Sequence, residues 1–419
     1  MVAVADWIEA RPEEAGISSQ RLETLRRVVQ GWVDERLIPG AVTAVARRGK
    51  VVHFETYGSM DDEAGKAMRP DAIFRIYSMT KPIVSLALML LYEEGKFHLD
   101  DAASKFIPEF KDLKVFAGGT ADDYRIRQPE REMTVRDLLT HMSGLTFGSM
   151  GGMRAASPVG ELYARAGVPG IGTTGTLADT VRKLGQLPLQ ADPGTEWIYG
   201  ASTDIVGYLC EVLSGQTLDR FLEERILAPL GMVDTSFYVP PSKLERFAAC
   251  YRPSPEGKGY VLQDAPATSE FARPDGTYFS GVGGLQSTAH DYMRFCKMLT
   301  GRGELDGVRI IGPRTLEYMT VNHLPGGRDR ADLSQPMFPG TPVQRGSGFG
   351  LGFAVLLDPA AAQVIGTPGE YYWSGAASTH FFISPKDDLA VLFLTQLMGM
   401  GPSTLGRDLR VAAYQALID

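Results

Sequence analysis

The chain has 419 residues, 44% of them hydrophobic and 22% charged, an ordinary globular composition with apolar mass for a large core. Asp and Glu number 50 against 42 for Lys and Arg, and the net charge of −8 is spread without long like-sign blocks, which argues against nucleic acid as a partner. Cys210, Cys250 and Cys296 are too widely spaced for a disulfide framework or a metal-ligand motif and read as buried thiols in a reducing compartment.

The first residues turn acidic after five positions and lack the basic start and apolar stretch of a signal peptide, so the expected location is cytoplasmic. From Ser18 to Glu35, Leu22, Leu25, Val28, Val29, Trp32 and Val33 recur at helical spacing, and Pro39-Gly40 closes the segment. Two β-branched and aromatic runs follow, Ala41 to Ala46 and Val51 to Tyr57, joined by Arg47-Arg48-Gly49-Lys50 as a hairpin.

Ser78-Met-Thr-Lys81 comes next, at the start of the apolar run Pro82 to Tyr92. One helical turn brings the hydroxyl and the amine side by side. Pro is tolerated in a first helical turn, and the positive end of the helix favours developing negative charge at Ser78. A serine needs a base, and Lys81 can serve if burial keeps its amine partly unprotonated. The apolar run is about half of the ~20 residues that cross a bilayer, so a buried helix is expected and no membrane association.

The chain from about Pro82 to about Leu213 is mostly helical pattern, broken by Gly-rich loops such as Gly148 to Gly152. Gly170-Ile-Gly-Thr-Thr-Gly175 has dinucleotide glycine spacing, but a helix-like segment and Pro169 stand where a strand is required. Tyr199 follows a Pro-Gly turn and precedes the helical pattern Thr203 to Leu213, so it can project from a loop into a cleft. A phenol near a lysine ammonium is expected to have a lowered pKa. The stretch Pro325 to Gly350 reads as a long loop. Phe349 to Leu357, Thr379 to Ser384 and Leu389 to Leu397 read as strands, and Leu405 to Leu417 as a closing helix. Trp373-Ser374-Gly375-Ala376 lies just ahead of a strand, where small residues allow a backbone N–H to approach a substrate carbonyl.

Strands thus cluster at both ends around a helical middle, which predicts a cleft with Ser78 at the junction. The six histidines show no short metal spacing and no serine has glycine both two before and two after it, so neither a metal hydrolase nor a nucleophile elbow is indicated. No metal or cofactor is expected.

Taken together, the Ser-x-x-Lys box, Leu138-Leu-Thr-His-Met-Ser-Gly-Leu145, Trp197 to Gly207 with Tyr199, Leu227-Ala-Pro-Leu-Gly-Met232, Gly281-Val-Gly-Gly-Leu-Gln-Ser-Thr288 and the strands after Trp373 resemble one family. It is the serine β-lactamase and penicillin-binding protein superfamily, in the branch of class C β-lactamases and family VIII carboxylesterases. The resemblance spans nearly the whole chain. It implies an α/β fold, an antiparallel β-sheet flanked by helices with an inserted mainly helical domain. Residues 1–84 and 212–419 would form the discontinuous α/β domain and 85–211 the helical one.

It also implies a two-step acyl transfer on Ser78, with Lys81 and Tyr199 relaying the proton and the Ser78 and Ala376 N–H groups forming the oxyanion hole. Trp373, Ser374 and Gly375 would contact substrate. Class C enzymes carry Tyr-x-Asn and Lys-Thr-Gly boxes, whereas this chain has Tyr199-Gly-Ala201 and Trp373-Ser-Gly375, and Gly148 replaces a glutamine. The groups that grip a lactam are absent and Trp373 offers an apolar wall. The expected partner is therefore a neutral small-molecule ester with a modest acyl chain, weak lactam hydrolysis being implied as a side activity. An acyltransferase, a β-lactamase proper and a penicillin-binding-like sensor that does not turn over are the alternative readings. His141 is read as structural, and Tyr77, Phe147 and Tyr278 as aromatics that could line an acyl pocket or simply belong to the core. The sequence leaves the oligomeric state open.

Overall fold

The computed structural model describes residues 7–148, 157–168, 174–273, 275–334, 345–399 and 404–419. Most of the glycine-rich loop after Gly148, residues 170–173 of the dinucleotide-like run and residues 335–344 of the expected long loop lie outside them.

An antiparallel sheet of eight strands organises the molecule, in the order Ser347–Phe349, Ala354–Leu356, Tyr371–Ser374, His380–Ser384, Leu389–Thr395, Gly40–Arg47, Lys50–Asp61 and Lys66–Ala67. The two ends of the chain meet in its centre, where Ala41 to Arg47 pair with Thr395 to Leu389. This is the antiparallel sheet flanked by helices that the family resemblance implies. His380 pairs with Phe393 and Phe381 with Leu392, so Phe381 and Phe393 point to opposite faces. Trp32, from the helix Ser19–Asp34, meets Phe393, while Tyr292, from the helix Ala289–Thr300, meets Phe381. Each face is therefore covered by a helix, which explains why the central strands are buried throughout rather than alternating.

Ser18 caps the first helix by accepting from the Arg21 N–H, and the closing helix, Leu405–Tyr414, packs beside it. The described elements between residues 85 and 211 are helices and one exposed hairpin, Val115–Gly119 with Tyr124–Arg127. The helix Thr80–Glu93 is buried from Thr80 to Leu91 and packs against the helix Ser202–Ser214. Its apolar residues face in all directions because neighbours surround it. No helix among the described residues is long and apolar enough to cross a membrane.

One expected strand is two. The segment Phe349 to Leu357 is not one strand but the adjoining ends of two, Ser347–Phe349 and Ala354–Leu356, because the chain reverses through Gly350 to Phe353 and the Gly350 N–H donates to the Phe353 carbonyl. Trp373 and Ser374 lie just ahead of the strand His380–Ser384, as expected, and are themselves the end of a strand of the same sheet, where Trp373 pairs with Phe381. The three cysteines are buried and unpaired.

Candidate active site

The strand Ile73–Arg75 pairs with Gln286–Thr288 and delivers the chain to a short turn, Tyr77–Met79, that leads directly into the Thr80–Glu93 helix. Tyr77 has φ of 42°, a left-handed conformation that costs a non-glycine residue about 1 kcal/mol or more. The burial of its ring against Phe271 helps to hold that conformation, which sets Ser78 at the helix entrance.

Ser78 Oγ accepts from the Tyr199 hydroxyl at 2.7 Å and from Lys81 Nζ at 3.1 Å. Lys81, only 1% exposed, also donates to the Val282 carbonyl at 2.7 Å. Burial pushes its amine from the ordinary lysine value down to about 7, partly opposed by the negative charge of Asp204. The amine is thus poised between base and acid near neutrality.

Tyr199 departs from the expectation. Burial raises its phenol to about 12, and the hydrogen bond to Ser78 and the nearby Trp373 indole only partly offset this. Lys81 Nζ sits 4.5 Å from the centroid of the Tyr199 ring, and the hydroxyl donates to Ser78. The lysine, itself pushed toward neutrality, does not supply the full positive charge that would lower the phenol. Tyr199 is therefore a neutral donor at pH 7.

Gly375 explains how the Trp373 segment reaches Ser78. Its N–H donates to the Thr379 carbonyl, and a Cβ at this position would lie 2.3 Å from the Ile76 carbonyl oxygen and 2.2 Å from Thr379 Oγ1. Only glycine lets this strand end lie against the Ile76–Ser78 turn. Ser374 and Ala376, at the exit of the strand, are both half-buried. Trp373 packs on Tyr199 at 5.5 Å and on Phe349 at 5.3 Å between ring centroids, and its buried indole N–H, though near the Tyr199 phenol, has no well-formed hydrogen bond among the described residues. The fold thus brings Lys81 and Tyr199 onto Ser78, Trp373 onto Tyr199 and Gly375 against Ile76, two residues before Ser78.

His141 lies 5.0 Å from the Tyr199 ring and 5.4 Å from Phe349. Burial and the charges of Lys81 and Arg330 hold its pKa well below the usual value, so it is a neutral ring packed behind the tyrosine. Phe147 also packs on Tyr199, whereas Tyr278 turns to Asp204. Among the described residues no three His, Cys, Asp or Glu side chains gather as metal ligands. Sequence reasoning missed Val282 and Asp204. The available signal was an aspartate five residues after Tyr199, within the first turn of the next helix, and a valine inside Gly281-Val-Gly-Gly284.

The model of the family described as Beta-lactamase matches residues 25–416. Esterase EstB of Burkholderia gladioli is 34% identical over 403 residues, 91% of this chain and 92% of that protein. Monacolin J acid methylbutanoyltransferase of Aspergillus terreus is 29% identical over 385 residues, 87% of this chain and 88% of that protein. Among solved structures, EstCE1, a hydrolase with promiscuous acyltransferase activity, superposes with a TM-score of 0.76 at 28% identity, over 94% of this chain and 99% of that one.

Proposed function

The chain belongs to the beta-lactamase family, and within it we propose that it is a serine carboxylesterase, hydrolysing short-chain carboxylic esters through an acyl-enzyme on Ser78. Ester hydrolysis and acyl transfer are the activities named for its relatives. The observation that carries the reading is the Ser78 hydroxyl held at once by an amine and a phenol, Lys81 with its pKa near 7 and Tyr199 neutral.

In acylation, neutral Lys81 takes the Ser78 proton as Oγ attacks the ester carbonyl. The N–H groups of Ser78 and Ala376 receive the oxyanion; one such donor is worth about 2.7 to 4 kcal/mol. Tyr199 gives its proton to the departing alkoxide and regains one from the Lys81 ammonium, so the protons balance when the alcohol leaves. Water then attacks the acyl group by the reverse relay. Trp373 and Ala201, standing where lactamases carry a lysine and an asparagine, favour a neutral ester over a carboxylated lactam. The unpaired thiols support a cytoplasmic location.

A substrate panel tests this: p-nitrophenyl esters of graded acyl length beside a chromogenic cephalosporin. Higher kcat/KM for the esters is expected, and a clear preference for the cephalosporin would overturn the assignment. The second reading, an acyltransferase, is favoured by the transferase relative. Product analysis with an added alcohol discriminates them, because transfer product in large excess over free acid would displace the hydrolase.

A further inference from the structure

We propose that Asp204 is a positioning residue for Lys81, a buried counter-charge that holds the loop receiving the amine and stabilises the ammonium formed when Ser78 loses its proton. This rests on the serine esterase reading above. Asp204 lies in the first turn of the Ser202–Ser214 helix and is 4% exposed. Its carboxylate accepts three hydrogen bonds at 2.9 Å: the Val282 N–H and the Ser280 hydroxyl on Oδ1, and the Tyr278 hydroxyl on Oδ2. Tyr278 and Thr180 are in turn 3.0 Å apart through their hydroxyls.

Every one of those direct donors belongs to the loop 278–282, and the same loop presents the Val282 carbonyl to Lys81 Nζ. Val282 thus joins the two charges, its N–H on the carboxylate and its C=O on the amine. The loop is held at other points as well. A Cβ at 281 would lie 2.4 Å from the Thr203 carbonyl oxygen, so only glycine allows so close an approach to the helix bearing Asp204. Farther on, the Leu285 N–H donates to Thr80 Oγ1, next to Lys81 in its own helix.

A carboxylate this deeply buried is expensive unless its lone pairs are met and a cation stands near it. Burial raises the pKa of the Asp204 carboxyl, and the three donors that meet its lone pairs, together with the charge of Lys81, oppose that rise and favour the anion. Other groups facing Lys81 do not supply that charge. Tyr199 presents its ring and is a neutral phenol, His141 is neutral, and Ser78 is a hydroxyl. Asp204 therefore offsets the burial that would otherwise strip the ammonium of stability, and a base that cannot carry its proton cannot complete the relay.

The direction of the pH effect follows. Activity needs neutral Lys81, so kcat/KM rises with pH through the amine's titration. Removing the anion lowers the proton affinity of the amine, and this acid limb moves to lower pH. Asp204→Asn keeps the shape, and its carbonyl oxygen can still meet Val282 and Ser280.

The experiment measures kcat, KM and the pH profile of ester hydrolysis in wild type, Asp204→Asn and Asp204→Glu, with thermal melting as the fold check. For Asp204→Asn the acid limb should fall by about one pH unit, with kcat at least about tenfold lower and KM little changed. Asp204→Glu should restore the limb. If Asp204→Asn does not fold, Asp204→Ser, also neutral and able to accept a hydrogen bond, is measured in its place with the same lowered limb expected. A wild-type limb in Asp204→Asn, or a moved limb in Asp204→Glu, overturns the proposal, since a purely structural role lowers rate without moving the limb. Intact-mass detection of acyl-Ser78 in the wild type separates the two failures. Its absence sinks the esterase reading, whereas its presence with an unmoved limb sinks only the role of Asp204.

Discussion

The Tyr199 hydroxyl donates to Ser78 Oγ at 2.7 Å, and burial keeps that phenol protonated at neutral pH. In the proposed reaction Tyr199 steadies Ser78 and carries the proton that a leaving alcohol needs. Replacing it by Phe leaves the aromatic packing against His141, Phe147 and Trp373 and removes only the hydroxyl. We expect kcat for a short-chain p-nitrophenyl ester to fall by about 10²–10⁴-fold, and Ser78→Ala to abolish turnover while melting like the wild type. Hydrolysis retained by Ser78→Ala would remove the nucleophile from the proposal.

Lys81 predicts a pH profile. With its amine near pH 7, kcat/KM should drop about tenfold per pH unit below that value and level off above it. A profile flat down to pH 5 would mean that another group takes the proton.

The same burial makes Lys81 costly to the fold. Its folded pKa lies below the unfolded value, so below pH 7 both states are protonated and the folded state bears the whole penalty, roughly 5 kcal/mol. The penalty shrinks as pH rises from 7 and vanishes near the ordinary lysine value. Lys81→Met leaves the Val282 carbonyl without its donor, at about 1–3 kcal/mol. The variant should be inactive yet melt higher than wild type at pH 6, the advantage disappearing by about pH 10. A lower melting temperature at pH 6 would contradict this account of the amine.

Gly375→Ala places a methyl group 2.3 Å from the Ile76 carbonyl oxygen and must push the Trp373 strand away from Ser78. Displacing the Ala376 N–H should cost kcat about 10²–10³-fold, with a smaller effect on KM. Crystallography of the variant should show the shift, and full activity in it would dissociate this strand from the oxyanion.

Trp373→Ala removes a ring packed on Tyr199 and Phe349. If that ring walls the acyl site, each added methylene should improve wild-type kcat/KM toward the ~0.8 kcal/mol of a buried CH₂ until the pocket fills. In the variant the dependence on chain length should flatten. An unchanged series from acetate to hexanoate would place the acyl chain elsewhere.

Ser78 and Lys81 were legible because three residues apart is one helical turn, a local spacing that survives any tertiary arrangement. The central strands Gly40–Arg47 and Leu389–Thr395 were legible from composition alone. The strand holding Trp373 was not, because its Gly-rich exit resembles a turn and only its pairing with Phe381 reveals a strand. Asp204 was missed because an aspartate in a first helical turn reads as an ordinary partner of the helix dipole.

The sequence by itself determined the sheet's central strands, the family resemblance and the pairing of the Ser78 hydroxyl with the Lys81 amine, since each follows from short-range spacing or from boxes in order. Tertiary structure decided the protonation states. Lys81 is pushed down and Tyr199 up by burial among helices and strands far apart in the chain, and folding brings Asp204 near enough to Lys81 for its charge to act, with Val282 bonded to both. Desolvation and charge proximity depend on what surrounds a group in space, and no spacing along the chain encodes them.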